Sequence, residues 1–215
     1  MKTKDIYLSD GSIAYSYILD YEYPYEILPN IKNIILSIGE NLDSDYEEVK
    51  EHVWIHKSAK VSETACINGP CIIDENAEVR HCAFIRGNAI IGKNTVFGNS
   101  CEIKNAILFD NVQVPHFSYV GDSILGSYSH MGASSIISNL KSDKKNIIID
   151  GKETGMRKIG AFLGDHVEVG CGCVLNPGTI VLPSTNIYPL TMVRGVIPSD
   201  CIVKSMDNIV RKEER

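Results

Sequence analysis

Between Ile55 and Phe109 every sixth residue is apolar, and few folds tolerate that spacing. Written in sixes the segment reads IHKSAK VSETAC INGPCI IDENAE VRHCAF IRGNAI IGKNTV FGNSCE IKNAIL FDNVQV. Its first column holds Ile55, Val61, Ile67, Ile73, Val79, Ile85, Ile91, Phe97, Ile103 and Phe109, and its fifth column is mostly Ala, Cys or Thr. A helix repeats its apolar face every three to four residues and a half-buried strand every second residue. One large and one small inward residue per six fits neither alone. It fits short strands with a turn after each, wound into a three-sided prism, the parallel β-helix. Leu163, Val169, Leu175, Val181, Ile187 and Val193 continue the count after an interruption.

The chain thus divides into 1–52 as an N-terminal cap, 53–205 as a β-helix and 206–215 as a charged tail. In the cap, LPNIKNIILSIGENL carries a proline suited to a helix start and places Ile31, Ile34, Ile35 and Ile38 on one face. That helix is expected near the first coil, where it would cover an open sheet edge. Residues 139–158 interrupt the sixes and read as an extruded loop or hairpin around an Asp-Gly turn.

A net charge of −6 and a pI near 5.5 speak against general nucleic-acid binding. The chain has no apolar run of 18 residues, and MKTKDIYLSDGS lacks a signal-peptide core, so a cytoplasmic location is expected. The seven cysteines form no CxxC pair and are expected to be reduced, buried small fillers.

Three sixes make one coil, so residues 18 apart should lie above one another. By that rule Arg86 and Lys104 stack as outward cations. An anion such as a phosphate would suit the pair, although two solvated surface cations near Glu102 would show the same spacing. The sixth-residue count then arrives at Pro115, which makes His116 outward, above Gly98 and on a different wall from the two cations. With Tyr119 three residues on, His116 is a candidate general base or an ordinary surface histidine. His81 and His116 lack a third histidine for a zinc site, so no metal is expected.

The run EIKNAILFDNVQVPHFSYVGDSILGSYSHMGASSIISNLKSDKK, followed by RKIGAFLGDHVEVGCGCVLNPGTIVLPSTNIYPLTMV, resembles a known acetyltransferase domain. It is that of the bifunctional sugar-1-phosphate nucleotidyltransferase/acetyltransferases that make UDP-N-acetylglucosamine. The resemblance covers roughly 54–205, with HFSYVGDS its specific part. It implies that the all-β solenoid read from the sixes, with its small α-containing cap, is a left-handed parallel β-helix assembled as a homotrimer. It implies acetyl transfer from acetyl-CoA to the amine of glucosamine 1-phosphate at sites between subunits. His116 then matches the base, Arg86 and Lys104 the residues on the sugar phosphate, and Tyr119, His130 and Asn139 further substrate contacts. Ala133 and Cys171 match acetyl-CoA contacts, and Lys204 a residue near the coenzyme phosphates. No metal is implied.

The family's NIGAGT is HMGASS here, so His130 stands for an asparagine and Ser134 for a glycine, while Leu140 replaces a tyrosine. These departures leave open a different sugar acceptor, or a non-catalytic trimer that binds a sugar phosphate or scaffolds a partner. Residues 1–52 contain no glycine-rich nucleotide loop, so nucleotidyl transfer is not expected.

Overall fold

The computed structural model describes residues 1–213. It is a left-handed parallel β-helix of about eight coils, with the helices confined to the first 40 residues. The coils stack into three walls. Wall 1 runs through strands Val53–His56, Cys71–Ile73, Ala89–Ile91, Ala161–Leu163, Thr179–Val181 and Val196–Ile197. Wall 2 holds Cys66–Ile67, Phe84–Ile85, Ile136–Ile137, Val174–Leu175 and Met192–Val193. Two long strands, Glu102–Leu108 and Tyr119–Leu125, cross from wall 2 into wall 1. Wall 3 stacks Lys60–Val61, Glu78–Val79, Val96–Asn99, Gln113–His116, His130–Met131, Glu168–Val169, Asn186–Ile187 and Cys201–Ser205.

The inward column is as dry as the sixes predict, with Ile85, Ile91, Phe97, Ile103 and Leu175 all fully buried. Between strands the chain turns through left-handed residues, many of them at the fourth position of a six: Asn76, Cys82, Asn88, Asn94 and Ser100 all have φ between 51° and 56°. Asparagine is the side chain that best tolerates this region, which accounts for its recurrence there.

The count corrects itself at a place the sixes alone do not reveal. Register pairs Ile91 with Leu108, Phe97 with Val114 and Leu108 with Leu125, each 17 residues apart. The inward residue after Ile103 is therefore Leu108, and Phe109 points away from the prism onto Tyr7, with ring centroids 5.0 Å apart. From Leu108 the sixes resume at Val114, so Pro115 is not a replaced inward aliphatic. All departures from six fall at the corner between wall 2 and wall 1. There Gly87-Asn88 of one coil shrinks to Asn105 and then to Asp122 alone, each left-handed. The same corner carries the extruded loop, in which Ile148–Ile149 and Lys152–Glu153 pair as an antiparallel hairpin.

Wall 1 is apolar on both faces. Its outward column Trp54, Ile72, Ile90, Ile107, Ile124, Phe162 and Ile180 is buried throughout. The cover is the N-terminal segment, built of α1 (Tyr15–Leu19), a 3₁₀ turn at Pro24–Asn30 and α2 (Ile31–Gly39). Ile31, Ile34, Ile35 and Ile38 of α2 are buried as the helical face requires. The segment does not stop at the first coil, however. α2 lies on strands of three successive coils, the 3₁₀ turn on Tyr119–Leu125, and Asp165 further along accepts the backbone N–H groups of Leu8 and Ser9 at 3.0 Å each. Fully burying one such aliphatic stabilises by about 1.5–3 kcal/mol, so the column is a sufficient reason for the segment to run lengthwise.

The two ends are closed alike. Tyr46–Lys50 pairs antiparallel with Val53–His56, and Asn208–Arg211 pairs antiparallel with Cys201–Ser205, so the charged C-terminal stretch forms a strand up to Arg211. Glu214 and Arg215 lie outside the described residues.

Candidate functional site

Because Ile85 pairs with Ile103 on wall 2, Arg86 and Lys104, the residues that follow them, are neighbours on consecutive coils. The Arg86 guanidinium donates to Glu102 Oε1 at 2.7 Å. Glu102 holds the arginine further toward its charged form, first through this hydrogen bond and then through its charge. Both side chains are more than a third exposed, so the pair adds little stability. Lys104 Nζ lies 3.5 Å from Asp122 Oδ1, and Asp122 is only 7% exposed.

Asp122 organises the rest of the cluster. It accepts from Asn105 Nδ2 at 3.0 Å and from Asn139 Nδ2 at 2.6 Å, and Asn139 Nδ2 also reaches the Tyr119 hydroxyl at 3.2 Å. Burial, then the charges of Asp122 and Glu102, push the Tyr119 hydroxyl above its ordinary pKa, so it stays a donor. Room for this comes from Gly121, which stands directly beside Lys104 in the register. A Cβ there would meet the Tyr119 hydroxyl at 2.4 Å and Asn139 Nδ2 at 2.9 Å. Arg86, Lys104, Tyr119 and Asn139 are therefore brought together, with Asp122, Asn105 and Gly121 as the members that sequence reasoning did not name. The signal was available in the 17-residue register, which sets Lys104 beside Gly121 and aligns Asn105 with Asp122.

His116 is not in this cluster. It ends the wall 3 strand Gln113–His116, is exposed, and aligns with Asn99, 17 residues back, rather than with Gly98. Pro115, not His116, stands over Gly98, because the inward position is Val114. The chain then turns the corner to wall 2 through left-handed Phe117, and Tyr119 begins the next strand. Along this corner the His116 carbonyl accepts from Ser134 N at 3.0 Å, the Ala133 carbonyl from Gly172 N at 2.9 Å and the Cys171 carbonyl from Leu190 N at 2.9 Å. Ala133 and Cys171 thus line the same edge as His116.

His130 sits in the middle of wall 3, aligned with Gln113, and its Nδ1 lies 2.9 Å from Glu168 Oε2. Lys204 is exposed on the last strand of wall 3, four coils beyond Pro115, a separation of about 19 Å at the usual strand spacing, and so joins neither group. Cys66, Cys82 and Cys171 are exposed, so only Cys71, Cys101, Cys173 and Cys201 act as buried fillers. Cys66 points outward by strand alternation, whereas Cys82 and Cys171 sit in the turns between strands. Among the described residues no three His, Cys, Asp or Glu side chains are grouped to hold a metal ion, and no helix is long and apolar enough to cross a membrane.

The chain is thus a hexapeptide-repeat solenoid that carries a cationic pair on wall 2 and an outward histidine at the end of wall 3. Residues 67–197 match the GMPPB C-terminal domain, and the chain belongs to that family. It is 35% identical over 177 residues to the bifunctional protein GlmU of Methanococcus aeolicus, with 73% of this chain and 43% of that protein covered. The GlmU of Methanococcus vannielii is 33% identical, with 90% and 48% covered. A bifunctional sugar-1-phosphate nucleotidylyltransferase/acetyltransferase of Sulfurisphaera tokodaii is 30% identical, with 64% and 40% covered. The chain spans less than half the length of these curated relatives.

Proposed function

We propose that the protein transfers an acetyl group from acetyl-CoA to the amine of a hexosamine 1-phosphate. The observation that carries this reading is the adjacent Arg86 and Lys104, backed by Tyr119 and Asn139 around the buried Asp122. The arginine offers a planar fork to phosphate oxygens and the lysine a point charge, while Tyr119 and Asn139 offer hydrogen bonds to sugar hydroxyls. A relative's name, sugar-1-phosphate nucleotidylyltransferase/acetyltransferase, supports the acetyl-transfer half of the assignment.

In this reading His116 accepts a proton from the attacking amine. The nitrogen bonds to the thioester carbonyl carbon, the carbon–sulfur bond breaks, and CoA leaves as its thiol after taking up a proton. The Ala133–Cys171 edge receives the thioester end and Lys204 the distal phosphates, while His130 contacts the acceptor. Clamping the phosphate fixes where the amine meets the carbonyl, and this orientation is the main contribution of Arg86 and Lys104.

We place the site between copies in a homotrimer. In the wall 2 column Phe84, Glu102, Tyr119, Ile136, Val174 and Met192, four members are exposed apolar side chains, whereas the matching column on wall 1 is already covered. A neighbour's wall 3 against this column would bring an imidazole to the cations. The test is CoA thiol release with acetyl-CoA and glucosamine 1-phosphate. His116→Ala should abolish it with the fold intact, and full activity in that variant would refute the assignment.

A further inference from the structure

The loop at 139–158 carries six Lys and Arg against three Asp and Glu, a net +3 in a chain whose total is −6. Beneath it lies a cleft of about 630 Å³ at the corner of walls 2 and 1. Its polar lining includes Ser138, Lys141, Asn176 and Arg194, and Ile148 and Pro177 add apolar surface. The loop is seated closely: a Cβ on Gly178, at the corner itself, would meet Ile147 at 2.7 Å.

The acids of the cleft are already engaged. Asp143 pairs with Lys141 at 3.4 Å and Asp150 with the N-terminal ammonium at 3.2 Å. Arg194 has no carboxylate within 4.0 Å among the described residues, nor have Lys144, Arg157 and Lys158 on the loop's other side. Register sets Lys104, Gly121, Ser138, Asn176 and Arg194 in one outward column. Arg194 therefore stands four coils, about 19 Å, from Lys104, too far for one phosphate to touch both.

We infer that this cleft binds the nucleoside diphosphate portion of a ligand. A cleft of this size accommodates more than a single phosphate, and small-molecule sites commonly occupy about 300–1,000 Å³. Arg194 supplies a guanidinium free to grip phosphate oxygens in bidentate fashion. The loop cations supply a surrounding positive field, and Ile148 with Pro177 supplies apolar surface for a base. Such a group comes from coenzyme A or from a nucleotide-activated sugar. In the first case the inference rests on the acetyl-transfer reading and moves the coenzyme phosphates from Lys204 to Arg194.

Isothermal titration of the full chain with CoA, with UDP and with glucosamine 1-phosphate tests this without turnover. The wild-type protein should bind CoA or UDP, and Arg194→Gln, at an exposed position, should weaken that binding roughly ten- to a hundredfold, the range for losing a charged hydrogen bond. Glucosamine 1-phosphate binding should be unchanged by Arg194→Gln and lost in Arg86→Ala. Weakening for CoA alone assigns the cleft to the coenzyme, and weakening for UDP assigns it to a sugar nucleotide. Equal binding by Arg194→Gln and wild type, or no binding of CoA and UDP by wild type, overturns the inference. The acetyl-transfer reading stands or falls separately, on thiol release in His116→Ala.

Discussion

Gly121→Ala adds one methyl group at the centre of the polar cluster. The new Cβ would sit 2.4 Å from the Tyr119 hydroxyl, 2.7 Å from its Cζ and 2.9 Å from Asn139 Nδ2. All three are well inside contact distance, so Tyr119 or Asn139 has to move. Displacing Asn139 breaks its bonds to Asp122 at 2.6 Å and to Tyr119 at 3.2 Å. A hydrogen bond to a charged group contributes about 1.5–3 kcal/mol and a neutral one about 0.5–1.5 kcal/mol. Partial rescue by water at this half-open site brings the expected loss to about 2–4 kcal/mol, or a fall in Tm of roughly 5–15 °C for a chain of this length. Calorimetry reads the fall directly. Titration with glucosamine 1-phosphate should show weaker binding, because Tyr119 no longer stands beside Arg86. Ser138→Ala, one coil further along the same column, should leave both measurements near wild type. A Gly121→Ala protein with wild-type Tm and unchanged sugar-phosphate affinity would refute the account of the cluster.

Ile107→Ala, on the covered outer column, should lower stability by about 2–5 kcal/mol in urea titration, as for other buried aliphatic truncations. Asp165→Asn weakens the grip on Leu8 and Ser9, so limited proteolysis should cut near residues 8–11 sooner than in wild type while the β-sheet circular dichroism is retained. In the native protein a thiol reagent should leave Cys71, Cys101, Cys173 and Cys201 unmodified until the chain unfolds; burial pushes Cys71 up to about 12. Burial, then the neighbouring Asp74 and Asp10, raises the pKa of Asp110, even though it accepts from Lys93 N. Its folded form holds the proton more tightly than the unfolded chain, so stability drains away as pH rises from the ordinary carboxylate range through that raised value. Asp110→Asn, which keeps an acceptor oxygen, should raise Tm at pH 7, with the gain vanishing in acid where the wild-type carboxyl is already protonated.

The prism itself was legible, because an inward aliphatic every sixth residue is a local pattern repeated many times. So was the buried face of α2. The lengthwise run of the N-terminal segment was not read, although the triplets CII, AII, AIL, SIL, AFL and TIV signal it. Their middle residues point outward, and six aliphatic or aromatic side chains there need a cover. Arg86 beside Lys104 followed from counting, since no residue is lost between those coils. The neighbour of His116 did not, because one residue had dropped out at Asn105, on the far side of the coil, which shifted the columns by one, and a second drop at Asp122 shifted the later ones again. Glu168 was out of reach altogether: it meets His130 across 38 residues, an interval the extruded loop makes irregular. Counting finds partners only while the period holds, and the polar cluster is built where it fails.

A stack of parallel coils has no intrinsic length. Each terminal coil would offer its unpaired N–H and C=O groups to another molecule, and end-to-end addition would generate a fibre. Here Tyr46–Lys50 and Asn208–Arg211 each fold back antiparallel onto walls 1 and 3 respectively, at opposite ends. An incoming parallel coil meets a reversed strand on wall 1 at one end and on wall 3 at the other, with the wrong bonding pattern for continuation there. The two reversals thus act as terminators that keep the solenoid finite, and a chain truncated before Asn208 should polymerise more readily than the intact protein.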